Sequence, residues 1–166
     1  MSDAFGKIVG FMLASVLLFI VPLTFYAGRQ QNLTQLYIIN ESMQFIESVK
    51  NTGVITEEIY RGFEDSVYGV SGRYKIELSR IHYEYNMDKV GDYVKTEKVY
   101  YLPQLEEEME ENGQIEFLEG DYVYLRVTRI GKGLIECMSD CCMLGNIVPE
   151  NEVISFYGGY VKNESY

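Results

Sequence analysis

Basic charge is scarce in this chain. Its 14 lysines and arginines face 25 acidic residues, for a formal net charge of −11. Phosphate recognition needs the opposite sign, so nucleic acid is not an expected partner. Histidine is rarer still, with His82 alone. Flanked by Ile81 and Tyr83 in a strand-like stretch, it reads as a packed or solvated side chain rather than a base or ligand. No G-x-S-x-G, H-E-x-x-H, P-loop or dinucleotide glycine pattern occurs, so nothing here points to an enzyme or a cofactor. The three cysteines, Cys137, Cys141 and Cys142, are too few for a four-ligand zinc site, so no metal is expected. They read as buried free thiols. Lipidation of a membrane-touching helix is one alternative, and a disulfide that leaves an odd thiol to pair between subunits is another.

Tryptophan is absent and there are three prolines, against 15 tyrosines. That balance favours β-strands and surfaces on which a tyrosine buries its ring and keeps its hydroxyl wet.

The most telling absence is of charge between Ile8 and Ala27, a run of 20 residues. At 1.5 Å per residue a helix of that length spans about 30 Å, the thickness of a bilayer's hydrocarbon core. A cleaved secretory signal would have a shorter apolar core and an A-x-A site, but Phe25 stands two residues before Ala27. An uncleaved anchor is therefore expected, with residues 1–7 cytoplasmic, 8–28 transmembrane and the bulk of the chain outside. Asp3 and Lys7 cancel, so the whole negative excess lies beyond the span. Lys7 on one flank and Arg29 on the other leave the positive-inside rule close to balanced.

Residues 29–52 hold neither proline nor glycine, and Leu36, Ile39, Met43 and Ile46 recur at spacings of 3, 4 and 3. This is the stripe of an amphipathic helix, closed by Gly53 as a C-cap. The stripe can pack on the chain's own domain or serve as a seam against partner helices. Pro22 and Gly28 are the expected kink positions in one helix of about 45 residues.

Residues 53–166 read as an acidic, tyrosine-rich α+β domain with a mainly antiparallel sheet. Thr56 caps a short helix, with Glu57 and Glu58 at its positive end and Ile59, Phe63 and Val67 on one face. Tyr74, Ile76 and Leu78 alternate as a strand. The apolar phase then flips to Ile81, Tyr83 and Tyr85, which predicts a β-bulge near Ser79-Arg80. A loop at 86–92 with Gly91 returns the chain through a strand at 93–102. Pro103 and Gly113 bracket one or two acidic helical turns. A strand carrying Val123, Leu125 and Val127, a helical stretch at 133–145 and a last strand at 153–161, interrupted by Gly158-Gly159, complete the pattern. The acid-rich run from Glu106 to Asp121 reads as a solvated face rather than a Ca²⁺ loop. The sequons at Asn32, Asn40 and Asn163 matter only in a eukaryotic secretory pathway.

An apolar N-terminal helix continuing as an amphipathic helix into a small β domain resembles the plan of type IV pilin-like proteins. The string Lys7-Ile8-Val9-Gly10-Phe11-Met12-Leu13-Ala14-Ser15 looks like a prepilin processing region, with Ser15 where that family carries Glu. The stretches FIESVKNTGVITEEIY (45–60) and ISFYGGYVKNESY (154–166) are similar in style to minor-pilin-like membrane proteins of Tad-type loci. The resemblance implies a structural or assembly role in a surface filament or secretion apparatus, with oligomers formed by helix packing. In lipid such packing relies on small residues, here Gly10, Ala14 and Ser15. Outside, Leu36, Ile39, Met43 and Ile46 would extend the seam. The alternative is a monomeric, signal-anchored extracellular binding module that uses its tyrosine-rich sheet.

Overall fold

The computed structural model describes residues 2–87, 93–132 and 151–162. Helix α1 runs unbroken over Ser2–Thr52, 51 residues, with Pro22 inside it. Its end follows the expected chemistry. Gly53 takes φ 69°, and its N–H donates to the Val49 carbonyl at 2.8 Å. Positive φ costs glycine nothing, so the chain leaves the helix there.

After α1 come β1 (Val54–Thr56), α2 (Glu57–Tyr68), β2 (Tyr74–Met87), β3 (Tyr93–Tyr101), α3 (Leu102–Asn112), β4 (Gln114–Glu116), β5 (Tyr122–Ile130) and β6 (Asn151–Tyr160). The main sheet is antiparallel in the order β3-β2-β5-β6, and β1 pairs with β4 in a separate ribbon. This is the α+β layout expected: a long N-terminal helix with a small antiparallel domain.

Thr56 Oγ1 accepts from the Ile59 N–H at 3.4 Å and opens α2 as predicted, with Glu57 and Glu58 in the first turn. The buried face of α2 is Tyr60, Phe63 and Val67, whereas Ile59 is exposed. Phe63 and Val67 are buried as expected, and in the first turn Tyr60 takes the inner position in place of Ile59. α3 is longer than expected at 11 residues and ends on Gly113 in the left-handed conformation. At its start the Gln104 side chain accepts from the Tyr101 N–H at 3.0 Å.

The expected bulge in β2 is not there. Register against β3 and β5 runs without a break, through Ser79↔Tyr101 and Arg80↔Val123. Both apolar sets are real, but they lie on opposite faces of one straight strand. Tyr74, Ile76 and Leu78 face the core. Ile81 shares the other face with its cross-strand neighbour Tyr122, and Tyr83 and Tyr85 follow it there at the two-residue period. The register irregularity sits instead between Val127 and Thr128, where β6 carries the extra residue Ile154. Gly158 and Gly159 do not interrupt β6 but pair with Tyr124 and Val123. The loop expected over 86–92 falls mostly, and the helix expected over 133–145 wholly, outside the described residues, as do Gly91 and Asn163.

The core does not respect a boundary at residue 53. Ile38, Phe45, Ile46 and Val49 of α1 are buried with Ile55, Phe63, Val67, Ile76, Leu78, Leu105, Ile115, Leu125 and Val127. Phe45 stacks on Phe63 at 4.6 Å between ring centroids and ties α1 to α2. Along β6 three contacts climb in order. Gln35 Nε2 donates to Glu152 Oε2 at 3.4 Å, Ser42 Oγ meets Ser155 Oγ at 2.8 Å, and the Lys162 N–H donates to the Lys50 carbonyl at 2.9 Å. Lys50 also lies over Gly159, where a Cβ would sit 2.7 Å from its Cε. Fifteen helical residues and seven strand residues each rise about 22–23 Å, so α1 and β6 run side by side without slipping. The stretch of α1 before Gln35 is roughly 50 Å long, and its most apolar window is bare of the rest of the described chain.

Candidate functional site

The projecting half of α1 carries the first candidate surface. Its most apolar 18-residue window has a mean hydropathy of 2.5 and none of it is buried by the rest of the chain. It is long and apolar enough to cross a membrane. Phe11, Leu18, Phe19, Phe25 and Tyr26 stand fully out from it. Its polar groups are satisfied internally, as a lipid environment demands. Ser15 Oγ donates to the Phe11 carbonyl at 2.8 Å and Thr24 Oγ1 to that of Val21 at 2.9 Å. Among the described residues nothing comes within 4 Å of a Cβ built at Gly10, and in the small patch Gly10 and Ala14 are exposed while Ser15 is half-buried.

Below Gly28 the helix splits its faces. The face on the domain is Ile38, Ser42, Phe45, Ile46 and Val49. Ser42 is the polar member, and its hydroxyl is spent on the Ile38 carbonyl at 2.7 Å and on Ser155. The predicted seam is therefore divided. Ile46 is 2% exposed and belongs to the chain's own core, so it is not available to a partner. Leu36 and Met43 are 61% and 43% exposed, and Ile39 is half-buried at the border. Leu33 and Tyr37 are also exposed, and they widen the apolar strip above the domain.

The second surface is the sheet face turned away from the helices. Cross-strand pairing places Ile81 opposite Tyr122 and Tyr122 opposite Tyr160. Tyr122 and Tyr160 meet edge to face at 5.1 Å, and Tyr83 stands 6.4 Å from Tyr160. Tyr124 leans on Phe156 at 5.8 Å. Lys95 lies over the Tyr83 ring at 3.5 Å and Arg126 over Phe156 at 5.4 Å. Such ring pairs and cation–π contacts prop the aromatics upright on an open sheet. Gly158 makes room for this, since a Cβ there would come within 2.9 Å of both the Tyr122 hydroxyl and the Val123 carbonyl.

His82 has a partner that spacing did not reveal. Its Nδ1 is 2.6 Å from Asp121 Oδ1, and the other oxygen of that carboxylate accepts from the Leu118 N–H at 3.1 Å. Asp121 is 2% exposed, so the acid-rich run is not solvated to its end. Its backbone carbonyl also accepts from the Val161 N–H at 2.8 Å. Asp121 is thus a knot that joins β2, the turn at 118–121 and the end of β6. Among the described residues the imidazole is paired with this carboxylate, which in turn ties down the turn at 118–121. Earlier in the run, Glu108 pairs with Arg80 at 3.3 Å, while Glu106, Glu107, Glu110 and Glu111 lie exposed on α3. Partial desolvation against the domain raises the Glu106 carboxyl above the ordinary value, and Glu64 and Glu110 add to the effect. Burial likewise pushes the Tyr60 phenol far up, helped by Glu64 and Glu106.

Among the described residues no cluster of three or more His, Cys, Asp or Glu side chains could hold a metal ion. Cys137, Cys141 and Cys142 lie outside them. No protein family, curated protein or solved structure matches the chain.

Proposed function

We propose that this chain is a membrane-anchored structural or assembly subunit, pilin-like in plan, of a surface filament or secretion apparatus. The observation that carries the reading is the mechanical continuity of α1. One helix is apolar and bare for its first half, then becomes the central layer of the domain core. A mere tether needs no such rigidity, whereas a subunit that must hold its domain in register with its neighbours does. The bare half would lie in the bilayer, with the N-terminus in the cytoplasm and the domain outside. Small residues at Gly10, Ala14 and Ser15 would let neighbouring helices approach within lipid. Leu33, Leu36 and Met43 would continue the contact outside it.

A second reading is favoured by the open tyrosine face. A monomeric, signal-anchored module would use Tyr83, Tyr122, Tyr124, Phe156 and Tyr160 to hold a ligand. Site-specific photo-crosslinking in native membranes separates the two. A benzophenone side chain placed at Leu36 should capture another membrane subunit or a second copy, and one at Phe156 should not. Capture at Phe156 with none at Leu36 would overturn the assembly reading in favour of the module.

A further inference from the structure

Of the six arginines in the chain, four have carboxylate partners. Arg61 pairs with Glu57, Arg80 with Glu108, Arg126 with Glu77 and Arg129 with Glu152. Arg29 and Arg73 have none among the described residues, although the chain is rich in acid. These two are far apart in sequence yet lie on the same side of the domain, the side from which the apolar run of α1 extends. Arg29 sits on α1 just past the apolar run. The Arg73 carbonyl accepts from the Ile130 N–H at 2.7 Å, and Ile130 pairs with Asn151, next to the Glu152 that touches Gln35. Arg73 therefore lies level with residues a few positions before Gln35 on α1. That is about 8–12 Å beyond Ala27 along the helix axis.

The depth matters because a bilayer's polar layer extends about 5–8 Å beyond the hydrocarbon on each side. An arginine stem is long enough to close the remaining gap and set its guanidinium among phosphates. Arg73 is also held in position. Its guanidinium lies against Gly131, where a Cβ would come within 2.8 Å of Nη2, and Gly131 takes φ 77°. A side chain at 131 would push the guanidinium away. Among the described residues at this end, the carboxylate of Glu152 is already engaged by Arg129 and Gln35. An acidic domain set this close to an anionic membrane would otherwise be repelled.

We infer that the membrane-proximal end of the domain, through Arg29 and Arg73, docks on the phosphate headgroups of anionic lipids. This rests on the membrane-anchored reading above. The guanidinium fork suits a phosphate's paired oxygens and would fix the domain's tilt on the bilayer.

Hydrogen exchange of the full chain tests the docking, in vesicles of phosphatidylcholine alone and of phosphatidylcholine with phosphatidylglycerol at 7:3. Amides around residues 69–74 should exchange roughly five- to tenfold more slowly with the anionic lipid, and salt near 0.5 M should erase the difference. Inorganic phosphate added to the neutral vesicles should not reproduce it. The double variant Arg29→Gln/Arg73→Gln should lose the lipid dependence, while the wild-type comparison stands on its own if that variant folds poorly. Alkaline carbonate extraction is run alongside. A carbonate-resistant chain with equal exchange in both lipids overturns the headgroup contact alone. A chain that washes off the vesicles overturns the membrane anchor, and the docking with it.

Discussion

Asp121 shows how much one side chain can hold. Its carboxylate accepts from His82 and from the Leu118 N–H while almost fully buried. Asp121→Ala should destabilise the domain by about 2–3 kcal/mol, because a part-buried N–H and the imidazole lose a charged acceptor. Denaturant unfolding followed by tyrosine emission, undisturbed since tryptophan is absent, reads the change. Glu106 tests the opposite sign. Partial desolvation and the carboxylates of Glu64 and Glu110 raise its pKa, so the folded chain holds that proton more tightly than the unfolded one. Its contribution favours folding below the unfolded-state value and is lost as pH climbs through the raised one. Glu106→Gln should therefore leave stability unchanged near pH 3 and increase it at pH 7, by at most about 0.5 kcal/mol at so exposed a site. A decrease at pH 7 would show that the acidic surface of α3 is not under electrostatic strain.

At the scale of elements, the sequence revealed what depends on neighbours along the chain and hid what depends on neighbours across the fold. The N-cap Thr56, the C-caps Gly53 and Gly113 and the alternation in β5 are local signals, and each element stands where they put it. The short strands β1 and β4 escaped notice because three residues carry too little periodicity, and what makes them strands is their pairing with each other. The supposed bulge at Ser79-Arg80 rested on the assumption that one face of β2 must be polar. Both faces carry apolar residues, since the helices cover one and tyrosines furnish the other. Gly158 and Gly159 looked like breaks, but they are points of close approach within a continuous strand. Gly158→Ala puts a methyl group against the Val123 carbonyl as well as the Tyr122 ring system, and backbone cannot swing aside. That substitution should cost about 1–3 kcal/mol and disturb the ring contact between Tyr122 and Tyr160. Near-ultraviolet circular dichroism would register the loss. Gly159→Ala meets first the flexible stem of Lys50, which can move aside, and should be milder.

On the scale of the whole molecule, α1 packs one face on the domain and leaves another exposed, and its heptad-like stripe was legible without saying which residue lies on which face. Helical spacing alone cannot place a stripe relative to a sheet that is assembled from residues far along the chain. The fold divides it, with Ile46 inside the core and Leu36 and Met43 outside. That division sharpens the test of the assembly role. Ile46→Glu would bury an unpaired carboxylate, a loss on the order of 3–5 kcal/mol that should unfold the domain and say nothing about partners. Leu36→Glu combined with Met43→Glu places both charges in water on an isolated subunit, so far-UV circular dichroism and thermal stability should stay near wild type. If those two positions face neighbouring helices, assembly buries the charges, and crosslinked oligomers should vanish from the membrane while the folded monomer remains. Oligomers that survive the double substitution with wild-type yield would place the contact elsewhere. The small face of the span and the tyrosine sheet would then be the surfaces left to carry association, separable by Gly10→Leu on one side and Tyr160→Ala on the other.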